Sequence, residues 1–347
     1  MNITTNTMAL ANELRILTKI APPKPSIAIL SHVLLRAEDQ LYLSATDLEI
    51  AMSAECRATV HETGSMALPA KTLLDILEQL PDADVNIDNG KITSGAFRSK
   101  LSALPHEDFP ALPAINGDSI PLSGQSLRRL IDRTAYAISD KTQKYVLDGA
   151  LLSLNGEVMA MVSTDGKRLS VATAARAAGI DQSVVLPSKT LDVLLAQSGD
   201  LLFSRGERHL FFSHGKRLLI SRMLEGEFPR YERIIPKGND QMANVSRIAL
   251  AAALKRVGLV AEGVHMTFTS GALNLTSRST EIGDADESVA IRYDGPDVHL
   301  CANWKYLLDF LDHATEQTVT IAIKTSATPL LLTDGNDFIN VIMVMRD

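Results

Sequence analysis

The segment LPAKTL at Leu68–Leu73 decides how this chain is organised, because it returns as LPSKTL at Leu186–Leu191, 118 residues later. A second pair of segments, Ala45–Asp47 and Ser163–Asp165, has the same spacing. Agreement in order and offset indicates a duplicated domain, since solenoid repeats have much shorter periods of roughly 20 to 50 residues. The chain therefore contains at least two copies of one unit.

A fainter third copy follows at the same interval. Leu41–Ser44 resembles Leu273–Thr276 at an offset of 232, and Asn303–Leu308 stands where the repeated segment is due again. The dipeptide at Phe109–Pro110 also returns at Phe228–Pro229, with an offset of 119. We therefore predict three tandem domains, over residues 1–118, 119–238 and 239–347, with boundaries in stretches rich in proline, glycine and polar residues.

Each copy has the pattern of two amphipathic helices and several short alternating strands. In copy one, Ala11, Leu14 and Leu17 are spaced for one buried helix face. In copy two, the same periodicity puts Arg129, Arg133 and Tyr136 on an exposed stripe, so we expect Arg133 to face solvent. First helices are predicted at about 8–20, 127–138 and 246–262, and second helices at about 69–81, 187–198 and 302–314. The predicted fold class is α+β with antiparallel sheets.

Composition narrows the class of protein. The 347 residues are 46% hydrophobic and 22% charged, as in an ordinary globular protein. Only two cysteines, Cys56 and Cys301, are present, so we expect a reducing compartment and no disulfide framework. No apolar run approaches the roughly 20 residues of a membrane helix, and no secretion signal is visible. We expect a cytoplasmic protein.

Charge is distributed unevenly. The net charge of −7 argues against a surface that binds nucleic acid everywhere, but it leaves room for a local basic patch. All three first helices carry basic residues on their polar face, and each second helix has a lysine in its first turn: Lys71, Lys189 and Lys305. A cation there opposes the helix dipole. A polyanion facing these helices would explain all three lysines, whereas ordinary solvation is the alternative for each one alone.

Residues for catalysis or cofactor binding are not brought together by any motif. Lys71-Thr72 ends a segment that faintly resembles a phosphate-binding loop, but Ala70 replaces the necessary glycine. His209 and His214 have no third metal ligand nearby in sequence, and no Gly-x-Ser-x-Gly nucleophile turn occurs. We expect no cofactor, no metal and no catalytic residue.

Three further segments carry a family resemblance, at Ser163–Leu169 (STDGKRL), Gly226–Tyr231 (GEFPRY) and Val341–Arg346 (VIMVMR). With the Leu68–Lys71 helix start and the Lys24–Ile27 loop, they make the chain similar to the bacterial DNA polymerase III beta subunit family, the sliding clamps, over its whole length in order. The resemblance implies a clamp fold of three domains and a head-to-tail homodimer that forms a six-domain ring around duplex DNA. It implies a non-enzymatic processivity factor, whose partners are double-stranded DNA, the polymerase III catalytic subunit, the clamp loader and other motif-bearing proteins.

A ring lined with cations would hold DNA through its phosphates without reading bases, and could therefore slide. The resemblance gives DNA-binding roles to Lys24, Lys141 and Tyr145, and Val146 stands where a second aromatic residue is usual. The full predicted set of DNA-binding residues is Arg15, Lys19, Lys24, Lys71, Arg128, Arg129, Arg133, Lys141, Lys144, Tyr145, Lys189, Arg247, Lys255 and Lys305.

The family's other site is an apolar pocket for short peptide motifs, in which flexible methionine and aliphatic side chains adapt to varied peptides. Two departures are visible: Val344 replaces a usual proline, and the chain ends in Asp347, so we expect altered peptide preference. Residue by residue, the predicted pocket is Leu147, Thr164, Gly166, Lys167, Arg168, Leu169, Pro229, Arg233, Ile234, Pro329, Val341, Met343, Val344, Met345 and Arg346.

For ring closure we predict that an edge strand at Phe97–Leu101 pairs with copy three of a second chain. Its Arg98 and Lys100, with Leu101 beside them, would meet acidic residues of the last helix, namely Asp309, Asp312 and Glu316. Two other functions stay open at the sequence level. One is a clamp paralogue that does not close on DNA and competes for peptides, and the other is a DNA-processing enzyme built on the same fold.

Overall fold

A computed structural model describes residues 1–115, 117–139, 145–197 and 199–346. The elements of copy one are β1 (Asn2–Asn6), α1 (Thr7–Leu17), β2 (His32–Ala37), β3 (Leu41–Thr46), β4 (Ile50–Cys56), β5 (Ala58–Glu62), β6 (Gly64–Pro69), α2 (Ala70–Gln79), β7 (Asp84–Asp88), β8 (Lys91–Ser94) and β9 (Phe97–Lys100). Those of copy two are β10 (Ser119–Leu122), α3 (Gly124–Thr134), β11 (Gly149–Asn155), β12 (Val158–Thr164), β13 (Arg168–Ala175), β14 (Gln182–Pro187), α4 (Ser188–Leu195), β15 (Leu201–Arg205), β16 (His209–His214) and β17 (Arg217–Arg222).

Copy three has the same order. Its elements are β18 (Gln241–Ser246), α5 (Arg247–Val257), β19 (Gly263–Thr269), β20 (Ala272–Ser279), β21 (Gly283–Arg292), β22 (Val298–Asn303), α6 (Trp304–His313), β23 (Thr318–Ile323), β24 (Leu330–Asp334) and β25 (Phe338–Ile342). Two helices per copy, each preceded by a strand, agree with the α+β pattern predicted from sequence. The last strand, β25, ends at Ile342, so only the first two residues of the Val341–Arg346 segment belong to it.

The first helices of copies one and three are capped by short polar side chains. Asn6 accepts the N–H of Ala9 at 2.9 Å before α1, and Ser246 accepts that of Ala249 at 3.4 Å before α5. Each cap satisfies one of the four backbone donors that a helix start leaves without a partner. Behind the α1 cap, Ala11, Leu14 and Leu17 are fully buried, as the periodicity predicted, and Leu10 is buried with them.

The chain divides into two compact units. Unit 1 comprises Met1–Gln125 and Lys189–Met223, and unit 2 comprises Ser126–Ser188 and Leu224–Asp347. The division passes through copy two because its strands are shared between sheets. The predicted boundaries near 118 and 238 therefore remain predictions about the repeat rather than about these units.

The sheets explain this division. Unit 1 has a sheet of order β5-β1-β7-β8-β9 and a second of order β10-β15-β16-β17-β4-β3-β2-β6, all antiparallel. In the second, β17 of copy two pairs with β4 of copy one. Unit 2 has a sheet of order β14-β11-β12-β13-β25-β24-β23-β18-β21-β20-β19-β22, in which β25 of copy three pairs with β13 of copy two. Consecutive copies are therefore joined in the same way twice. The last strand of copy two, β17, pairs with β4 of copy one, and the last strand of copy three, β25, pairs with the equivalent strand β13 of copy two.

No helix within the described ranges is both long and apolar enough to span a membrane. The same ranges contain no cluster of three or more His, Cys, Asp or Glu side chains that could hold a metal ion.

Candidate functional site

The turn between β12 and β13 is built by the Thr-Asp-Gly motif. The Thr164 hydroxyl donates to the Arg168 carbonyl at 2.6 Å and accepts the Gly166 N–H at 3.1 Å. The Asp165 carboxylate accepts the N–H groups of Lys167 and Arg168 at 2.8 and 3.0 Å. Gly166 has φ +85°, which a residue without a Cβ adopts readily. Local hydrogen bonds therefore fix this turn without help from a ligand.

A pocket of about 240 Å³, including its open mouth, lies beside this turn in unit 2. Ile234 and Met343 at its rim leave 39% and 45% of their surface exposed, so apolar side chains face solvent here. The pocket is lined by Thr164, Gly166, Lys167, Arg168, Leu169, Ile234, Val341 and Met343, and all eight belong to the set predicted from sequence.

A packed core supports the pocket from behind. Leu147, Leu169, Val341 and Phe228 are buried in one cluster, and of these Leu169 and Val341 line the pocket whereas Leu147 does not. Register across the β13–β25 pair puts Leu169 opposite Val341, and Met343 donates its N–H to the Lys167 carbonyl at 2.9 Å. The strand pairing of copies two and three therefore holds the two walls together.

The other predicted pocket residues lie around it without lining it. Pro229 and Pro329 are half-buried, and the Pro329 carbonyl accepts from Asn239 at 3.0 Å. Arg233 and Arg346 are exposed, Val344 is half-buried, and Met345 donates its N–H to the Cys301 carbonyl at 2.8 Å. Asp347 lies outside the described residues.

The Arg168 side chain beside the pocket is fixed by several contacts within unit 2. Its guanidinium contacts Asp165 at 3.1 Å, pairs with Asp309 of α6 and donates to the Tyr136 carbonyl. It also lies over the rings of Tyr136 and Tyr306, 5.3 and 4.4 Å from their centroids. Cation–π contact and ion pairing both favour Arg over Lys at this position. Reasoning from sequence missed these partners, because α6 is far from the turn in the chain.

Tyr136 completes this network. Its hydroxyl lies 3.2 Å from that of Ser170 and accepts from Asn340 at 2.7 Å, and its ring stacks on His313 at 4.7 Å. Burial raises the pKa of the Tyr136 phenol well above its usual value, so the group stays neutral. The prediction that Tyr136 lies on an exposed face of the copy-two helix is therefore wrong.

Arg133 is the clear correction among the predicted DNA-binding residues. Its side chain is 4% exposed and pairs with Asp334 at 3.2 Å and Asp337 at 2.9 Å. It also donates to Thr315 at 3.0 Å and lies over the Phe338 ring. Helical periodicity put it on a polar face, but copy three covers that face and supplies the buried Asp334 carboxylate and the half-buried Asp337 carboxylate. Arg133 is structural.

Most of the other predicted cations are exposed, and many have an acidic partner in the same unit. The ion pairs are Arg15–Glu78 (2.8 Å), Lys71–Asp75 (2.7 Å), Arg129–Asp337 (3.3 Å), Lys189–Asp47 (2.9 Å), Lys189–Glu49 (2.6 Å) and Lys255–Asp312 (3.6 Å). Arg247 binds the carbonyls of Leu311 and Glu316, and Lys305 lies over the Trp304 ring. Lys19, Lys24 and Arg128 are exposed.

The three lysines in the first turns of the second helices, Lys71, Lys189 and Lys305, each have a contact with a nearby side chain.

Three predicted DNA-binding residues lie wholly or partly outside the described residues. Lys141 and Lys144 lie outside the described residues. Tyr145 begins a short 3₁₀ turn, Tyr145–Leu147, but its side chain lies outside the described set.

Of the residues predicted for the dimer interface, the basic ones lie on an edge strand and the acidic ones are already in ion pairs. Arg98 and Lys100 lie on β9, an edge strand whose single neighbour among the described strands is β8. Leu101 donates its N–H to the Gly90 carbonyl at 2.9 Å. Asp309 and Asp312 already pair within the chain, with Arg168 and Lys255, so they are less available to a second chain than predicted.

Comparison with known proteins agrees with these features. Family models of the DNA polymerase III beta subunit match the chain at residues 1–113 (N-terminal domain), 121–230 (central domain) and 232–346 (C-terminal domain). The chain belongs to the DNA polymerase III beta subunit family. Its function is that of a DNA sliding clamp, a non-catalytic processivity factor, which excludes the enzyme alternative.

Similar proteins cover the full chain. The Pseudomonas aeruginosa beta sliding clamp is 30% identical, with all of both chains covered. A crystal structure of that organism's sliding clamp bound to griselimycin has a TM-score of 0.94 at 29% identity, with complete coverage of both chains. The Caulobacter crescentus polymerase III beta structure has a TM-score of 0.94 at 32% identity and the same coverage. The three-domain clamp fold is therefore shared along the whole chain.

Proposed function

We propose that this clamp closes into a ring with a second copy of itself, through β9 of one chain and β21 of the other. The observation that supports this is the repeat rule of the sheets: β17 pairs with β4, and β25 pairs with β13. In the same series β9 is the last strand of copy one, and β21 is the equivalent of β4 and β13 in copy three. Among the described strands, β9 and β21 both lack the partner that their equivalents have, apart from two residues of β21 that pair with β18.

Charge and apolar exposure fit this pairing. Strand β9 carries Arg98 and Lys100, whereas β21 carries Asp284 and Asp286. Helix α5 packs against β21, and just beyond its end Leu259 leaves 76% of its surface exposed. Exposed ion pairs contribute little, so backbone pairing and burial of Leu259 must supply most of the dimer's stability.

Light scattering tests closure, because the 37.6 kDa chain should have twice that mass at submicromolar concentration. We expect Leu259→Asp to give monomers, since burying an unpaired carboxylate in an interface is costly. Ile180→Asp is the control, because Ile180 is also exposed but lies in copy two. A dimer that survives Leu259→Asp would contradict the proposed interface.

The exposed cations support the proposed contact with DNA. The exposed cations Lys19, Lys24 and Arg128, together with the lysines in the first turns of α2, α4 and α6, would face the phosphates of duplex DNA without reading its sequence. The role as a replication factor also supports a cytoplasmic location. Lys24→Glu should weaken DNA binding and reduce its dependence on salt, and Lys237→Glu, an exposed lysine outside the predicted set, serves as the control. Equal effects of the two changes would contradict the assignment of Lys24.

The unit 2 pocket is the proposed site for the polymerase, the clamp loader and other partners, each through a short apolar motif. Its rim of Met343 and Ile234 with a floor of Leu169 supports an aliphatic or aromatic anchor. Fluorescence anisotropy with a short peptide containing leucine and phenylalanine tests this. We expect Met343→Asp to abolish binding and Met242→Asp, an exposed methionine of β18, to leave it unchanged. Binding that Met343→Asp does not weaken would reject the pocket.

A further inference from the structure

The turn between β3 and β4 repeats the pocket turn of unit 2. The Thr46 hydroxyl donates to the Ile50 carbonyl at 2.9 Å and accepts the Leu48 N–H at 3.0 Å. The Asp47 carboxylate accepts two backbone N–H groups, at 2.9 and 2.8 Å. These are the same bonds that Thr164 and Asp165 make. Unit 1 therefore contains the same backbone framework that carries the pocket in unit 2.

The neighbouring strand is also in the equivalent position. Ala51 lies opposite Ile220, as Leu169 lies opposite Val341. Arg222 donates its N–H to the Glu49 carbonyl at 2.8 Å, and Met343 does the same to Lys167 at 2.9 Å. Arg222 thus occupies the position that Met343 has at the rim of the unit 2 pocket.

Two aliphatic side chains stay exposed at positions equivalent in the repeat to residues that line the unit 2 pocket. Leu48 replaces Gly166 and leaves 52% of its surface in solvent, with φ +75°, in a region that costs a residue with a Cβ about 1 to 2 kcal/mol. Ile115 follows Phe109 by the same number of residues as Ile234 follows Phe228, and it is 41% exposed. A strained, exposed leucine is unfavourable for folding, and backbone strain of this kind collects at binding sites.

The cation beside these side chains is Arg222, which is exposed. His209 lies opposite Arg222 across the β16–β17 pair, so the two side chains share one face of the sheet. Arg222 forms no ion pair among the described residues, whereas the nearby Glu49 carboxylate is held by Lys189 at 2.6 Å. Free guanidinium groups of this kind bind carboxylates well.

We propose that Leu48, Ile115 and Arg222 form a second docking surface, which binds a short acidic peptide with an apolar side chain. Arg222 selects a carboxylate, and the exposed aliphatic pair supplies the contact for the apolar side chain. A nucleic acid strand would satisfy Arg222 but would leave Leu48 and Ile115 with no apolar side chain to bury. A partner that also reaches the unit 2 pocket would gain affinity from binding twice.

The test uses a fluorescein-labelled peptide of alternating glutamate and leucine on the full-length chain carrying Met343→Asp, so that only the second surface is measured. We expect saturable binding of one peptide per chain, which weakens as salt is raised. Arg222→Glu and Ile115→Ser should each weaken it about tenfold, and Arg222→Gln should weaken it less. Arg57→Glu, an exposed arginine elsewhere in unit 1, should leave it unchanged.

Three results would overturn the proposal. They are no binding to the Met343→Asp chain, binding that Arg222→Glu does not weaken, and equal or tighter binding of a thymidine oligonucleotide of the same charge. Circular dichroism of each variant checks that the fold is kept. The proposed role of the unit 2 pocket is tested separately, because its loss depends on Met343 and the loss of the second surface depends on Arg222.

Discussion

At the scale of single residues, Arg133 shows how a buried charge is kept in this fold. Its guanidinium lies between Asp334, whose side chain is fully buried, and Asp337. Asp334 also accepts the N–H groups of Thr315 and Glu316 at 2.8 and 2.9 Å. Copies two and three therefore meet at a hydrogen-bonded ion pair within unit 2.

We expect Arg133→Ala to lower the free energy of unfolding by about 3 to 5 kcal/mol, because it leaves the Asp334 carboxylate buried without its cation. Chemical denaturation measures the change. Arg129→Ala is the matched control on the same helix, and its exposed pair with Asp337 should contribute about 1 kcal/mol or less. Equal losses in the two variants would mean that the neighbours of Arg133 relax around the gap.

Gly166 allows a cleaner test of backbone strain. A Cβ built on Gly166 meets no atom within 4 Å, so Gly166→Ala should cost only the left-handed conformation, about 1 kcal/mol in stability. Gly179→Ala, where φ is not left-handed and the nearest atom is 3.9 Å away, should leave stability the same or slightly higher. Denaturant midpoints of the two variants would decide, and no loss at Gly166 would mean that the turn rearranges.

At the scale of elements, two carboxylates of the β3–β4 turn neutralise the charge of Lys189 at the start of α4. Glu49 and Asp47 both bind Lys189, and the hydrogen bond to Glu49 is the main cause that raises the pKa of this lysine. A lysine held in this way is a weaker ligand for phosphate than a free one. The contacts proposed with DNA are accordingly tuned toward low affinity, which suits sliding.

Removing one carboxylate should therefore strengthen DNA binding. We expect Glu49→Gln to raise the affinity for duplex DNA about three- to tenfold at low salt and to steepen its salt dependence by about one unit. Glu38→Gln, which breaks a similar exposed pair with Arg36 at 3.1 Å, is the control. An unchanged affinity for Glu49→Gln would show that Lys189 does not face DNA.

Elements were predicted well from sequence where a local pattern determines them. The Pro69 helix start and the inward residues of α1 both follow from residues that are neighbours in the chain. Arg133 and Arg168 could not be predicted in this way. Their partners Asp334 and Asp309 are more than 130 residues away, and a helical period cannot indicate what will cover a polar face.

The pocket is intermediate between these cases. Its residues come from three segments that are far apart in the chain, and only the family resemblance groups them at the level of sequence. Alternation in sequence alone does not distinguish Met343 from a residue of a strand core, although Met343 is 45% exposed. The second docking surface in unit 1 had no signal in sequence apart from the repeated turn.

At the scale of the whole molecule, the retention of the clamp on DNA shows whether it is held by enclosing the duplex or by binding its phosphates. If two chains close around duplex DNA, the clamp should stay on a nicked circle at high salt and slide off linear DNA of the same sequence. Contacts with phosphate weaken steeply with salt, so they cannot hold the clamp under these conditions. Gel filtration of preloaded complexes measures the difference, and equal retention on both forms would reject enclosure.

The two open strand edges have one more consequence. Strands β9 and β21 differ from each other, so each chain that joins through them leaves one open edge of each kind on the growing assembly. Such a contact gives a finite ring only when the angle between chains closes it, and otherwise it gives an unlimited fibre. A substitution that alters this angle while keeping both edges intact is expected to produce filaments, so polymerisation is the failure to watch for in this clamp.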